Sequence, residues 1–208
     1  MSSPTSSTGA GFDGYHVLFA LGVGLLALAS LSGIRQLAAS GEILKLHYDP
    51  LAQAGDLANP DHLAKAVGQY RMATLIDPSS EGTWFLLGYA LLKTGDRALA
   101  ALAYHRVLRL NPARADAHEA LGNIALDQSQ LPTAIEEFRA AVALDPRRAG
   151  ARNGLGFAYA ATNRLDEAIR QFEMATELTG DPLVRANLER ARSELAARNT
   201  TAPRTEKR

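Results

Sequence analysis

The sequence predicts an all-α solenoid, a stack of short helix pairs in which each pair packs on the next. The prediction follows from residue types that return every 34 positions along the chain. The recurring columns are Leu87-Gly88, Leu121-Gly122 and Leu155-Gly156; Ala100, Ala134 and Ala168; Tyr104, Phe138 and Phe172; and Leu110, Leu144 and Leu178. A period of this length is typical of stacked helix pairs, because a single pair cannot bury its apolar face without neighbours.

The pass that begins near residue 114 shows how one unit is built. Apolar residues recur three and four positions apart, which predicts one helix over Arg114–Gln128 and another over Leu131–Leu144. Asp145-Pro146 ends the second helix, because proline has no amide hydrogen to donate and restricts the residue before it. Each unit is therefore two short amphipathic helices.

Gly122 lies inside the first of these helices, where glycine costs about 1 kcal/mol relative to alanine. We expect it to face the small Ala134, so that the paired helices approach closely while Leu121 and Phe138 fill the space on either side. A larger side chain at this position would then overpack the crossing.

A partial unit precedes the three full ones. Six residues fall in the same register one period upstream: Leu63, Val67, Tyr70, Ala73, Ile76 and Pro78. They predict a helix over 62–77. Pro50, Gly55 and Pro60 interrupt the stretch where its partner helix would lie. Two alternatives stay open: a short irregular helix, or residues before Pro50 that fold back over the open end of the stack.

After the third pass, the sequence predicts one more helix that closes the stack. Asp181-Pro182 is typical of a helix start, and residues 183–197 carry Leu188, Ala191 and Leu195 on one side with charges elsewhere. A polar outer face is what the terminal helix of a solenoid needs for solubility. The repeat domain thus covers 61–197, and we expect the polar, basic residues 198–208 to be a disordered tail.

The recurring residues resemble the tetratricopeptide repeat, whose consensus contains Trp-x2-Leu-Gly-x2-Tyr, then Ala-x3-Phe-x2-Ala, then Pro. The first pass matches at Trp84, Leu87, Gly88, Leu91, Ala100, Tyr104, Val107 and Pro112; the second at His118, Leu121, Gly122, Ala125, Ala134, Phe138, Ala141 and Pro146; the third at Arg152, Leu155, Gly156, Tyr159, Ala168, Phe172 and Ala175. The resemblance implies a protein-binding solenoid of three full repeats, a degenerate N-terminal unit and a C-terminal capping helix.

A second segment is informative. Tyr15–Ile34 carries no formal charge and is rich in leucine, valine and alanine, and about 20 such residues span the hydrocarbon core of a bilayer. We expect a single transmembrane helix over 15–37, with a flexible leader over 1–14 and a linker or degenerate helix over 38–60. A cleaved secretory signal and a buried core helix are the alternatives, but no basic residue precedes the apolar run and the rest of the chain could not enclose it.

Only a few charges indicate on which side of the membrane the repeat domain lies. Arg35 and Lys45 follow the span and no basic residue precedes it, which favours a cytoplasmic repeat domain. Anchored repeat proteins of bacteria that this chain resembles often face the periplasm, so the opposite orientation stays open. The many alanines and arginines beside few lysines resemble the composition of a protein from a GC-rich bacterium, and we expect a single-pass protein of a bacterial inner membrane.

Composition and motifs give no sign of catalysis. The 22 basic and 22 acidic residues balance, so no overall field attracts nucleic acid. The chain has no cysteine, and its five histidines form no His-Glu-x-x-His or paired arrangement. His118 falls in a packing column of the repeat. We expect no catalytic residue, no bound cofactor, no metal site and no small-molecule substrate.

The resemblance also implies where a protein partner binds, because in this family the first helix of each repeat lines a concave groove. Carried over by register, the expected groove residues are Phe85, Tyr89 and Leu92; Glu119, Asn123 and Leu126; and Asn153 and Phe157. Their aromatic rings favour an apolar segment of a partner, and the asparagine amides can bond an extended backbone. The alternative is that the aromatic rings only pack between repeats.

The basic clamp by which some family members grip acidic chaperone tails is not expected here, because only Asn123 fits its pattern. The function expected from the sequence is a membrane-anchored scaffold for protein–protein interaction, in the assembly or stabilisation of a membrane complex. A periplasm-facing factor that presents apocytochrome during cytochrome c maturation is the alternative.

Overall fold

The computed structural model describes residues 60–201, and this part of the chain forms eight α-helices and no strand. The helices are α1 (Pro60–Ile76), α2 (Glu81–Lys93), α3 (Arg97–Leu110), α4 (Ala115–Asp127), α5 (Leu131–Leu144), α6 (Ala149–Ala161), α7 (Leu165–Thr179) and α8 (Pro182–Thr201). Each helix packs on the next, and α4 also contacts α6. The architecture is the predicted α-solenoid: three pairs, α2/α3, α4/α5 and α6/α7, between α1 and α8.

The helix bounds agree with those predicted from the repeat. α1 covers most of the helix predicted over 62–77, α4 is one residue shorter at each end than predicted, and α5 has the predicted bounds. α8 begins at Pro182, where the Asp181 carboxylate accepts the amide of Leu183 at 2.8 Å. It continues to Thr201 instead of ending at Ala197, because no proline or glycine interrupts the chain there. Residues 202–208 of the predicted tail lie outside the described residues.

The N-terminal predictions fall outside the described part of the chain. These are the leader over 1–14, the membrane span over 15–37 with its apolar stretch Tyr15–Ile34, and the linker over 38–60 except its last residue. Within residues 60–201, no helix combines the length and the hydropathy that crossing a bilayer requires.

The core runs along the stack as two apolar clusters that meet in α4, where Ile124 belongs to the first cluster and Ala125 to the second. The aromatic residues that recur every 34 positions lie at the centre of the core. They are Tyr104, Phe138 and Phe172, and all three are almost completely buried. Burial raises the pKa of the Tyr104 hydroxyl above its ordinary value. The repeat period therefore places one buried ring in the second helix of each pair.

Gly122 packs against the ring of Phe138. From the sequence we expected it to face chiefly Ala134, and that expectation was wrong. A Cβ atom at Gly122 would lie 2.8 Å from Cδ1 of Phe138, which is closer than carbon atoms pack. The close approach is therefore that of the aromatic ring to the backbone of α4. Gly156 has the same relation to Phe172, at 2.6 Å from Cε1.

The turns inside the three helix pairs share one backbone conformation. Gly95, Ser129 and Asn163 lie 34 residues apart and have φ angles of +86°, +59° and +70°. This left-handed region suits glycine, is tolerated by asparagine, and is unfavourable for most other residues. Backbone conformation thus follows the period even where the residue type does not.

The fourth position of each first helix bonds to the turn before it. Trp84 Nε1 donates to the carbonyl of Pro78 at 3.1 Å, and Arg152 Nε donates to that of Pro146 at 2.8 Å. His118 occupies the middle position, with Nε2 3.2 Å from the Pro112 carbonyl and Nδ1 2.7 Å from Glu137 Oε2. His118 thus has a structural role, although it acts through hydrogen bonds in addition to packing.

Candidate protein-binding face

The eight residues predicted to bind a partner lie on α2, α4 and α6, the first helices of the three pairs. They are Phe85, Tyr89 and Leu92 on α2, Glu119, Asn123 and Leu126 on α4, and Asn153 and Phe157 on α6. We call this set the groove face. Its members differ in how much side chain they leave for a partner.

Phe85 is half-buried and held from two sides. Its ring meets the ring of Tyr104 edge-on, with centroids 5.4 Å apart, and the guanidinium of Arg114 lies 4.9 Å from its centroid. Arg114 also donates to both carboxylate oxygens of Asp116 at 2.8 Å and to Glu81 at 2.9 Å. Hydrogen bonding to Asp116 raises the pKa of Arg114. Phe85 therefore joins neighbouring repeats and offers a partner only part of its surface.

Glu119 is similarly engaged one repeat later. Its carboxylate accepts a hydrogen bond from Nε of Arg148, the residue that precedes α6. It also lies directly over the backbone of Gly150, so that a side chain there would collide with it. Since Arg114 and Arg148 are one period apart and each reaches back to the preceding first helix, they form a matching pair of links. Sequence reasoning missed these links, although the spacing of 34 contains the signal.

Tyr89, Leu92 and Asn123 line a cleft of about 240 Å³ between α2 and α4, together with Ile124. Lys93 places its ammonium group 5.3 Å from the centroid of the Tyr89 ring. An ion pair between Arg97 and Asp127, 2.8 Å long, forms a charged edge of the cleft. Asn123 is exposed, and its amide makes no hydrogen bond within the described part of the chain.

The remaining groove-face residues are Leu126 on α4 and Asn153 and Phe157 on α6, and they differ in how much they are exposed. Asn153 accepts a hydrogen bond from the amide of Asn187 on α8 at 3.2 Å. Leu126 is half-buried against the second core cluster. Phe157 is 41% exposed, although one edge packs on Phe172 with ring centroids 5.5 Å apart. It is the most exposed aromatic side chain on the groove face.

The groove face is thus continuous but unequal. Phe85 and Glu119 mainly connect one first helix to the next, and Asn153 bonds to α8. Asn123 and Phe157 are exposed, and the half-buried Tyr89 lines the cleft between α2 and α4. Such a surface can hold an apolar group beside an aromatic ring and bond a peptide backbone through an amide. Within residues 60–201, no group of three or more histidine or acidic side chains is placed to bind a metal ion.

Comparison with known families gives one match. The sequence profile of the tetratricopeptide repeat family fits residues 85–149 and 119–182, which together include the groove face and the three helix pairs except the first four residues of α2. No curated protein sequence shows significant similarity to the chain.

Solved structures show the same fold. Similar structures include MamA (TM-score 0.62, 22% identity, 67% of this chain and 82% of that chain) and MamA from Desulfovibrio magneticus RS-1 (TM-score 0.61, 23% identity, 67% and 79%). The first tetratricopeptide domain of Spaghetti, solved with an HSP90 peptide, also matches (TM-score 0.54, 20% identity, 56% and 95%). At these identities the likeness concerns the fold alone.

Proposed function

Because residues 85–182 belong to the tetratricopeptide repeat family, we propose that the chain is a scaffold that binds a segment of another protein on the groove face. The observation that carries the proposal is the cleft between α2 and α4, which the half-buried Tyr89 and the exposed Asn123 line beside Leu92. The repeat domain of Spaghetti holds a peptide on the same fold. The chain acts by binding and performs no reaction of its own.

The chemistry of the face defines the partner. Tyr89 and Phe157 provide aromatic surface, and the amide of Asn123 can both donate to and accept from an extended backbone. The cations near the cleft are already engaged, since Arg97 pairs with Asp127 and Lys93 lies over Tyr89. A partner segment with apolar side chains and few charges fits this surface better than an acidic tail does.

We further propose that Tyr15–Ile34 anchors the scaffold in a membrane, so that the groove face meets its partner beside the bilayer during assembly or stabilisation of a membrane complex. The support is the length and apolar composition of that stretch. Confinement to one surface raises the effective concentration of scaffold and partner. Recovery of the full chain in the aqueous fraction without detergent would contradict the anchor.

Reporters fused to the C-terminal end of the repeat domain test on which side of the membrane that domain lies. A fluorescent protein that matures in the cytoplasm should be active when fused after residue 208, because the positive charges follow the span. Activity of a periplasmic phosphatase at the same position would instead favour the alternative, a factor that presents apocytochrome during cytochrome c maturation.

Affinity capture tests the groove face. The tagged full chain in mild detergent should retain its partner, and Tyr89→Ala with Asn123→Ala should reduce the amount captured by roughly tenfold or more if these residues anchor the segment. The matched control is Glu136→Ala with Arg170→Ala, two exposed side chains on second helices, which should leave capture unchanged. Equal capture by both double variants, each with a melting temperature near that of wild type, would contradict the proposal.

A further inference from the structure

An apolar groove of about 660 Å³ lies between α1 and α3, on the far side of α2 from the groove face. Its floor includes Trp84, Leu87 and Leu91 of α2. On a helical wheel, these residues point roughly 130° away from Phe85, Tyr89 and Leu92. We call it the α1–α3 groove, and it is separate from the proposed partner site.

The walls of the α1–α3 groove expose large apolar side chains to solvent. Leu75 on α1 is 67% exposed and Leu102 on α3 is 64% exposed, and Leu99 lies beside them. Exposed apolar surface gathered in a concave site usually marks a place where something binds. Single exposed leucines would need no explanation, but these line one groove.

The later repeats show that the fold itself does not require this surface. One period on from Leu75, Leu99 and Leu102, the chain has Arg109, Thr133 and Glu136. Two periods on, the same positions hold Ala143, Glu167 and Arg170. Since the equivalent helices pack with charged, polar or small residues at these positions, packing within the solenoid does not explain the three leucines.

Three arginines, Arg71, Arg106 and Arg109, stand around the apolar walls. Arg106 donates to the carbonyl of Pro78 at 3.2 Å, and none of the three forms an ion pair within the described residues. A ligand with apolar groups in the middle and carboxylates near its ends would therefore complement the groove in both shape and charge.

We propose that residues 41–49 of the same chain occupy the α1–α3 groove. Their sequence, Gly-Glu-Ile-Leu-Lys-Leu-His-Tyr-Asp, places Ile43 and Leu46 between the carboxylates of Glu42 and Asp49. The apolar side chains meet the leucine walls, and the acids meet the arginines. Occupation covers the apolar surface of the first unit, which has no preceding full repeat to bury it.

The length of the chain permits this contact. Residues 50–59 separate the segment from the start of α1 and reach about 35 Å when extended. α1 has 17 residues and is therefore about 25 Å long. The groove lies near the end of α1, at Arg71 and Leu75, so a segment tethered to the start of α1 can return to it. The tether also gives the segment a high effective concentration at the groove.

Disulfide trapping tests the proposal cleanly, because the chain contains no cysteine. In the full chain, Leu46→Cys with Leu102→Cys should oxidise to an intramolecular disulfide at a rate independent of protein concentration. The matched control is Leu46→Cys with Glu136→Cys, whose second cysteine lies one period further along. We expect trapping at least about tenfold faster in the first pair, at equal helix content by circular dichroism. Equal rates overturn the proposal, as do crosslinks that form only between two chains.

A charge swap provides the second readout. Arg71→Glu with Arg109→Glu should slow trapping severalfold, and adding Glu42→Arg with Asp49→Arg should restore it, because the attraction is then reversed in sign. A trapping rate that responds to neither change contradicts the charge complementarity. An environment-sensitive dye at Leu102→Cys that responds to phosphatidylglycerol vesicles, with trapping at the control rate, would assign the groove to a membrane surface instead and overturn the proposal.

Discussion

Backbone conformation, as well as packing, determines how well a residue type suits its position in this chain. Gly95, Ser129 and Asn163 occupy the same left-handed turn, and only the first is the residue type that the conformation favours. Ser129 is the least suited of the three, because its Cβ crowds the backbone there and its side chain gives less local compensation than asparagine. The turn of the second pair is therefore a place where the natural sequence is not the most stable one.

We expect Ser129→Gly to stabilise the repeat domain by about 0.5–1 kcal/mol, since relief of the left-handed strain outweighs the greater freedom of glycine in the unfolded chain. Urea denaturation followed by circular dichroism measures the change. The reverse substitution in the preceding unit, Gly95→Ser, should lower the free energy of unfolding. A less stable Ser129→Gly variant would contradict this account of the turn.

A second prediction concerns the packing of Gly122. Gly122→Leu should lower the free energy of unfolding by about 1–3 kcal/mol, because any side chain at this position meets the Phe138 ring. The matched control is Gly68→Ala in α1, where an added Cβ would have no atom within 4 Å beyond the adjacent residues and the local helix backbone, and where alanine favours the helix. A thermal melt of Gly122→Leu that coincides with wild type would show that the ring can move away.

Neighbouring elements are held in register by polar links in addition to the core. Arg114 and Arg148 precede α4 and α6, and each contacts the preceding first helix through Phe85 or Glu119. These links set the spacing of the first helices and so shape the groove face. A side chain that joins repeats is less available to a partner, so we expect Glu119 to contribute less than Asn123 to the proposed binding.

Double-mutant cycles can distinguish a structural link from a surface pair. The side chains of Arg148 and Glu119 are 31% and 22% exposed, whereas those of Arg97 and Asp127 are 51% and 53% exposed. We expect a coupling energy of about 0.5–1 kcal/mol for the first pair and close to zero for the second, because water screens exposed pairs. Cycles built from the alanine variants measure both, and a larger coupling for Arg97 with Asp127 would contradict this assignment.

For the whole molecule, the 34-residue period predicted the three helix pairs, and it predicted the bounds of α4 and α5 to within one residue, because the spacing of apolar residues and proline is local information. Contacts between repeats were harder to predict. The packing of Gly122 on Phe138 and the link from Arg148 to Glu119 depend on how helices far apart in sequence are placed. Leu144 and Leu178 recur as faithfully as the core residues, yet both are exposed, so recurrence alone does not indicate burial.

Amide hydrogen exchange of the full chain, alone and with its captured partner, shows which helices the partner covers. If the partner segment binds the groove face, exchange should slow in Phe85–Leu92 and Glu119–Leu126 and stay unchanged in α5 and α7. Protection of the second helices, with α2 and α4 unaffected, would contradict the central claim that the first helices present the binding surface.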